Sequence, residues 1–266
     1  MLSTEGFVVE AGAESSCVVL HVPHSSTAIP SWVRSKIVLD DGALERELEL
    51  MTDAQTDLIA AVGADAAEVR PWVFQNALSR LVVDPERFPD PAQEPMARPE
   101  IGMGAVYSKT AHLEEFRSFD AEHHEALLEA YFHPYAKGLC DVVGHVLRAH
   151  NRVTIIDIHS FPAEELPYER LHHPDARRPG LCLGTDPFHT PDWLVEAAVS
   201  SFVSIQDTVV NEPFAGTYVP LDFYGADPRV TSIMIEIRRD TYVGKSAAIE
   251  QWGQALAALI TSIQAR

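Results

Sequence analysis

The chain contains the run Val153-Thr-Ile-Ile-Asp-Ile-His159, an apolar and β-branched stretch that ends on an ionisable side chain. Two similar runs lead from Cys17 to His24 and from Ser232 to Glu236. Short runs of this kind are typical of buried strands in a largely parallel sheet. Because ligands of open α/β sheets bind at the carboxyl ends of the strands, we expect the two imidazoles and the carboxylate to meet there. Such a set of groups favours metal-assisted hydrolysis.

The segments between these runs alternate between strand-like and helix-like patterns, which predicts an α/β fold. We expect helices over residues 31–39, 41–62, 113–149 (with a break near Pro134), 192–202 and 247–265. Further strands are expected over residues 68–74, 77–83, 181–184 and 208–211. The segment 88–107 is rich in Pro and Gly, and a loop of that length is typical of a functional lid. For 266 residues, one domain spanning residues 1–266 is the simplest organisation.

Composition narrows the class of protein and its partners. The formal net charge is −19, so the surface repels nucleic acid and anionic membranes. No apolar stretch is long enough to span a bilayer, and the first residues lack the pattern of a secretory signal. The three cysteines are widely spaced and odd in number, which is typical of thiols in a reducing compartment. We therefore expect a cytoplasmic protein that acts on a small molecule and binds neither nucleic acid nor membrane.

His24 and His159 are the first candidate metal ligands. His24 follows an apolar strand directly, a place where a histidine can also cap a turn. Asp157 and His159 lie on the same side of their strand because side chains alternate along it. A carboxylate that orients a metal-bound imidazole is a frequent arrangement, so we interpret Asp157 as the partner of His159. The alternative is a strand end capped by polar groups, although a buried Asp requires a partner.

A catalytic zinc site usually has three protein ligands and keeps one position for water. The segment Met51-Thr-Asp-Ala-Gln-Thr-Asp57 offers the third ligand, because Asp53 and Asp57 are four residues apart and share a helix face. We select Asp53, with Asp57 as the second choice. The competing interpretation is a helix N-cap at Thr52 or Asp53.

Glu236 lies inside an apolar run, where a carboxylate is costly unless it is paired or functional. A general base must lie near the metal without binding it, and we assign this role to Glu236. A salt bridge with a neighbouring arginine is the alternative.

Arginines recognise carboxylates through paired hydrogen bonds. At least one of four arginines is therefore expected to hold a substrate carboxylate: Arg80, Arg87, Arg238 and Arg239.

Motifs of several other enzyme classes are absent from the sequence. Serines follow His24, but no Gly-x-Ser-x-Gly elbow of a serine hydrolase occurs. Nucleotide binding has no support, because there is neither a Gly-x-Gly-x-x-Gly motif nor a P-loop. The His-Glu-x-x-His helix of common metalloproteases is also missing.

Seven segments resemble the N-formylglutamate amidohydrolase family, and they span almost the whole chain. Their order and spacing make the resemblance specific. The segments are His21-Val-Pro-His-Ser-Ser, Met51-Thr-Asp-Ala-Gln-Thr-Asp, Ser79-Arg-Leu-Val-Val-Asp-Pro-Glu-Arg-Phe, Asp157-Ile-His-Ser-Phe-Pro, Leu183-Gly-Thr-Asp-Pro-Phe-His-Thr, Asn211-Glu-Pro-Phe-Ala-Gly-Thr and Met234-Ile-Glu-Ile-Arg-Arg.

The resemblance implies a three-layer α/β sandwich with a mixed, mostly parallel sheet, similar to the phosphorylase/hydrolase fold of zinc carboxypeptidases. It also implies hydrolysis of the formyl amide of N-formyl-L-glutamate to formate and L-glutamate, the last step of one route of histidine degradation. Zn²⁺ is the expected cofactor, although iron, cobalt and manganese suit the same ligand types.

The resemblance also implies roles for individual residues. It implies a metal site made of His24, Asp53 and His159, with Glu236 as the general base. The residues expected to bind substrate are Arg80, Arg87, Asn211 and Arg239. Two alternatives stay open: a related deacylase or carboxypeptidase for another N-acyl amino acid, and a non-catalytic protein that binds amino acids.

Overall fold

The centre of the molecule is an eight-stranded mixed sheet. A computed structural model of the chain describes residues 2–3, 6–89, 101–118, 120–171 and 177–266. The strands are β1 (Leu2–Ser3), β2 (Phe7–Glu10), β3 (Val18–Val22), β4 (Trp72–Asn76), β5 (Val153–Phe161), β6 (Leu181–Gly184), β7 (Thr208–Val210) and β8 (Val230–Arg238). Their order across the sheet is β1-β2-β4-β3-β5-β8-β6-β7. Strands β4, β3, β5 and β8 run parallel, so their carboxyl ends meet at one edge.

Helices cover both faces of this sheet, which confirms the expected three-layer α/β sandwich. One group of packed helices contains α3, α6 and α7, while α5 packs against β5. The helices are α1 (Ser31–Arg34), α2 (Asp41–Met51), α3 (Thr56–Ala66), α4 (Ala121–Leu127), α5 (His133–His150), α6 (Asp192–Phe202) and α7 (Ser246–Gln264).

Strand β5 is buried at every position. It lies between β3 and β8 in the sheet, and helices cover it on both faces. A parallel strand in this position needs apolar side chains throughout rather than at alternate residues, which explains its continuous apolar pattern. The two ionisable residues of β5, Asp157 and His159, must therefore find their partners inside the protein.

The helix expected over residues 41–62 is two helices. Helix α2 ends at Met51, and α3 begins at Thr56 after Gln55, whose φ of 66° lies in the left-handed region. Asp53 lies in the break, where its carbonyl oxygen accepts a hydrogen bond from the backbone N–H of Thr56. The competing interpretation of Thr52 or Asp53 as a helix N-cap was wrong, because the N-cap residue of α3 is Gln55. The break frees the Asp53 side chain from the face of a helix.

Two further expectations about secondary structure were wrong. Residues 77–83 form bends and turns rather than a strand, and β4 extends through Asn76 where we expected a turn. Helices α4 and α5 join through a π-helical turn, Leu128–Phe132, directly before Pro134. Because proline lacks a backbone N–H, a local change in the hydrogen-bond pattern lets the helix continue without a break. Of the expected lid, residues 90–100 lie outside the described residues.

The structure also gives the state of the cysteines and the character of the helices. Cys17, Cys140 and Cys182 are all free thiols. Among the described residues, no helix combines the length and apolar character that crossing a bilayer requires.

Candidate metal and hydrolytic site

Three side chains from separate parts of the chain converge at the carboxyl edge of the sheet. His24 follows β3, Asp53 lies between α2 and α3, and His159 lies near the end of β5. The His159 Nδ1 atom is 3.1 Å from Asp53 Oδ2 and 3.3 Å from His24 Nδ1, and His24 Nδ1 is 3.6 Å from Asp53 Oδ2. All three residues are buried. These three atoms could hold one metal ion.

The outer nitrogens of both imidazoles face carboxylates. His24 Nε2 is 3.0 Å from Asp84 Oδ1, and His159 Nε2 is 3.1 Å from Asp157 Oδ1. An ionised carboxylate only accepts hydrogen bonds, so each Nε2 carries the proton. When both imidazoles are neutral, as metal binding requires, their Nδ1 lone pairs face Asp53 Oδ2. Three electron-pair donors that face each other in a buried space repel one another unless a cation lies between them.

The pKa values of the three residues shift in the directions expected where buried carboxylates surround imidazoles. Burial alone lowers the pKa of each histidine, but the surrounding carboxylates outweigh it, and the pKa of His24 and that of His159 both rise. Burial alone raises the pKa of Asp53, but hydrogen bonds from His159 and His24 bring that pKa below its ordinary value. The cluster therefore attracts positive charge.

Asp84 anchors His24 from behind and has no exposed surface. Besides His24, it accepts hydrogen bonds from the Tyr107 hydroxyl at 2.5 Å and from Arg80 Nη2 at 2.8 Å. Burial opposes ionisation of Asp84, but Arg80, followed by His24 and Arg87, holds its pKa well below the usual range. Asp84 is thus an ionised and immobile partner of the His24 ring.

The His159 ring has two carboxylate partners at Nε2. The expected one, Asp157, lies beside Glu86, whose Oε1 is 3.2 Å from the same nitrogen. Asp157 Oδ2 also accepts a hydrogen bond from the backbone N–H of Tyr218 at 3.1 Å. The structure therefore places Asp157 where we expected the orienting carboxylate of His159.

Glu236 differs from the other carboxylates because it has no such partners. Its Cα pairs with that of His159 across β5 and β8, yet its Oε2 is buried and has no hydrogen-bond partner among the residues that the structure describes. Burial raises the pKa of Glu236 to about 8; Asp53 adds to this rise, while His159 and two arginines oppose it. The alternative of a salt bridge with Arg238 or Arg239 is wrong within the described residues, where Arg238 instead pairs with Asp240 at 2.7 Å.

Arg239 is engaged within the protein at all three guanidinium nitrogens. Its Nε donates to Ser160 Oγ, its Nη1 donates to the Leu50 carbonyl oxygen, and its Nη2 donates to Asp53 Oδ1 at 3.2 Å. We predicted that Arg239 binds substrate. These contacts instead support a positioning role, in which Arg239 holds Asp53 toward the imidazoles.

The other expected substrate-binding residues line a cavity of about 550 Å³ next to the cluster. Arg80 donates from Nε and Nη2 to Asp84, and within the described residues its Nη1 has no hydrogen-bond partner. Arg87 lies farther along the wall, with its Nε 3.8 Å from Asp84 Oδ2. The Asn211 amide bonds to the backbone and hydroxyl of Thr185. His24, His159, Glu236 and all three residues reach this cavity.

Several residues of the site were not predicted from the sequence. Asp84 and Glu86 follow the segment 77–83 that we expected to be a strand, and no role was predicted for His21 or Tyr107. The usable signal was an acidic residue directly after Leu81-Val-Val, because a carboxylate that follows an apolar run needs a buried partner. Asp57, our second choice for the third ligand, is partly exposed and outside the cluster.

Comparison with known proteins assigns the chain to a family. The model of the N-formylglutamate amidohydrolase family matches residues 16–243. The chain belongs to this family. The match contains every residue of the cluster described above, and it supports hydrolase activity on a small molecule. A search of curated proteins finds no significant match.

Two solved structures share the fold at low sequence identity. An N-formylglutamate amidohydrolase from Ralstonia eutropha has a TM-score of 0.79 and 20% identity, covering 98% of both chains. A gene product of Agrobacterium tumefaciens has a TM-score of 0.72 and 17% identity, covering 98% of this chain and 96% of the other. At these identities the likeness concerns the fold.

Proposed function

We propose that this protein is a metal-dependent amidohydrolase that releases formate from N-formyl-L-glutamate. The observation that carries the proposal is the convergence of three buried atoms, His24 Nδ1, His159 Nδ1 and Asp53 Oδ2, at 3.1–3.6 Å from one another. Zn²⁺ suits this set of two imidazoles and one carboxylate. Its proposed ligands are His24, Asp53 and His159.

The charge of the surrounding residues fits one divalent cation. Fully ionised, the carboxylates around the cluster outnumber the guanidinium groups by two, and burying that excess without a cation is costly. In the absence of a cation, protons on the imidazoles and on Glu236 reduce the same excess, which is the direction of their pKa shifts. The carboxylates are Asp53, Asp84, Glu86, Asp157 and Glu236, and the arginines are Arg80, Arg87 and Arg239.

Glu236 is the proposed general base and acid. A divalent cation, when bound, would polarise the scissile carbonyl and make a water molecule more acidic. Glu236 accepts a proton from the water that attacks the formyl carbon, and then donates it to the amide nitrogen as the C–N bond breaks. Because Oε2 of Glu236 has no hydrogen-bond partner among the described residues, it can accept this proton without first breaking a hydrogen bond. The products are formate and L-glutamate with a free amino group.

The substrate part of the proposal depends on Arg80. Arg80 lines the cavity, and Asp84 holds its Nε and Nη2, so the guanidinium has little freedom to move. We propose that it binds a substrate carboxylate, with Arg87 and Asn211 farther along the cavity wall. We also propose that this reaction is a step of histidine degradation. We propose a cytoplasmic location, which the free cysteines support.

The test pairs metal analysis with a formate-release assay on N-formyl-L-glutamate. We expect about one divalent metal per chain and turnover that a chelator abolishes and zinc restores. A protein that binds no divalent metal after purification and reloading, and releases no formate, would overturn the proposal.

A second candidate is hydrolysis of another N-acyl amino acid. The cavity of about 550 Å³ falls in the range of roughly 300–1,000 Å³ that encloses drug-sized ligands, whereas N-formyl-L-glutamate is much smaller. Part of its wall is apolar, including Leu166, Phe161 and Phe214. Arg178 does not offset this, because it donates to Glu169 and to the Pro162 carbonyl oxygen. Turnover of N-acyl amino acids with apolar side chains, without turnover of N-formyl-L-glutamate, would favour this candidate.

A further inference from the structure

His21 is a buried histidine that the proposed reaction does not use. It lies in β3, three residues before His24, and has no exposed surface. Its Nδ1 is 2.8 Å from Asp157 Oδ1, and its Nε2 is 2.6 Å from the hydroxyl of Tyr135 in α5. The ring packs against Tyr218, with a centroid distance of 5.1 Å. Both nitrogens therefore have a defined partner.

The direction of each hydrogen bond follows from the chemistry of the partners. Asp157 is an ionised carboxylate that only accepts, so His21 donates to it from Nδ1. The His21 Nε2 atom is then an acceptor, and the Tyr135 hydroxyl must donate to it. The tautomer of His21 is thereby determined by the groups on its two sides.

The carboxylate of Asp157 also faces His159. Asp157 Oδ1 accepts the hydrogen bond of His21 Nδ1 and lies 3.1 Å from His159 Nε2, and Asp157 Oδ2 accepts a hydrogen bond from the backbone N–H of Tyr218. With donors on both oxygens, the carboxylate cannot rotate without losing a bond. Because Asp157 keeps its place, it and Glu86 hold the Nε2 side of the His159 ring, and Nδ1 stays on the side of the proposed metal position.

We propose that His21 and Tyr135 are positioning residues of the metal site. They act through Asp157 and hold His159 in the tautomer and orientation that bind a metal at Nδ1. This inference rests on the proposed metal site of His24, Asp53 and His159. The residues behind His159 are then Asp157, His21 and Tyr135, and the last of these lies in helix α5. Partners outside the ligand set commonly change metal affinity by roughly 10–100-fold.

The experiment measures the zinc affinity of the full-length protein by competition with a chelating dye. His21→Leu removes the donor to Asp157, and we expect zinc affinity to fall roughly tenfold or more. His21→Asn keeps an N–H donor near the position of Nδ1, so it should recover part of that loss. Tyr135→Phe leaves the ring packed against Phe74 and removes only the hydroxyl; we expect a smaller loss of affinity.

The matched control is Tyr131→Phe. Tyr131 is also largely buried and its hydroxyl has one hydrogen bond, from Trp32 Nε1 at 2.9 Å, but it lies away from the cluster. Both Tyr→Phe variants should lower the melting temperature by similar amounts, while only Tyr135→Phe weakens zinc binding. Cobalt-loaded protein gives a second measurement: the visible spectrum should change in the His21 and Tyr135 variants and stay unchanged in Tyr131→Phe.

The outcomes separate this inference from the proposed function. If the wild-type protein binds zinc and His21→Leu and Tyr135→Phe bind it equally well, with unchanged cobalt spectra, the positioning role is wrong and the metal site stands. If the wild-type protein binds neither zinc nor cobalt, the metal site itself is wrong, and the positioning role falls with it. Should His21→Leu fail to fold, Tyr135→Phe and its control decide the question.

Discussion

Two buried carboxylates at the proposed metal site, Asp53 and Glu236, differ in their hydrogen bonds. Asp53, in the break between α2 and α3, accepts hydrogen bonds from His159 and Arg239. Glu236, near the end of β8, has an oxygen with no partner. Burial acts on both in the same direction, yet the pKa of Asp53 is lowered while that of Glu236 is raised to about 8.

The difference shows how a protein assigns two tasks to one kind of side chain. Arg239 on one oxygen of Asp53 and the two imidazoles at the other keep this carboxylate ionised and fixed, as a metal ligand must be. Glu236 keeps a high proton affinity because no hydrogen bond to its Oε2 offsets the desolvation by burial. A group that takes up and returns a proton needs such an affinity. A cation bound nearby would lower the pKa of Glu236 by favouring its charged form.

The largest expected effect comes from removing the unpartnered carboxylate. Glu236→Gln should lower kcat for formate release about 10²–10⁴-fold, the range for a lost general acid–base group, while metal content stays unchanged. Glu212→Gln is the matched control, because Glu212 lines the same cavity but is exposed. Full activity in Glu236→Gln, or loss of its metal, would remove the contrast between the two carboxylates.

The second effect concerns the fixed carboxylate. Asp53→Asn should weaken zinc binding by more than the roughly 10–100-fold typical of partners outside the ligand set, because Asp53 is a proposed ligand. The control Asp57→Asn, four residues away and outside the cluster, should bind zinc like the wild-type protein. A dye-competition assay measures both. Equal zinc affinity in the two variants would mean that Asp53 is not a ligand.

Metal binding should also appear as thermal stability. Zinc at about one hundred times its Kd stabilises the folded state by about 2.7 kcal/mol, which corresponds to a rise in Tm of about 5–10 °C for a chain of this size. Calorimetry with and without a chelator should show this rise in wild-type protein and in Glu236→Gln. We expect little or no rise in Asp53→Asn; a full rise there would contradict its role.

The smallest expected effect concerns Glu47, a buried carboxylate away from the metal site, where burial and hydrogen bonding again have opposite effects on the pKa. Glu47 in α2 is buried, and its carboxylate accepts one hydrogen bond, from the backbone N–H of Ala111 at 2.7 Å. Burial raises its pKa above the ordinary 4.5, against the effect of that bond. The folded protein therefore binds this proton more tightly than the unfolded chain, and the stabilisation is lost as pH rises through the folded pKa.

The measurement is urea unfolding of wild-type protein and Glu47→Gln between pH 4 and 7. The stability of the wild-type protein relative to the variant should decrease as pH rises over this range. A relative stability that stays constant or increases with pH would show that burial does not govern this carboxylate.

Local patterns predicted the strands that carry the site. Continuous apolar runs ended at His24, His159 and Glu236, and the structure places all three at one edge of the sheet. The break at residues 52–55 was not predictable in this way, because the apolar stripe of a helix continues across it. Residues 77–83 also follow a strand pattern, but Arg80 and Asp84 form an internal ion pair there that requires a turn.

By itself, the sequence determined the α/β class, the strand ends where chemistry collects, and the family to which the chain belongs. Only the tertiary structure decided that Asp53 rather than Asp57 faces the imidazoles, that Arg239 holds Asp53, and which nitrogen of each histidine faces inward. The physical reason is distance along the chain. A tautomer or a side-chain direction depends on partners such as His21 and Asp157, which are 136 residues apart in sequence and meet only when the sheet forms.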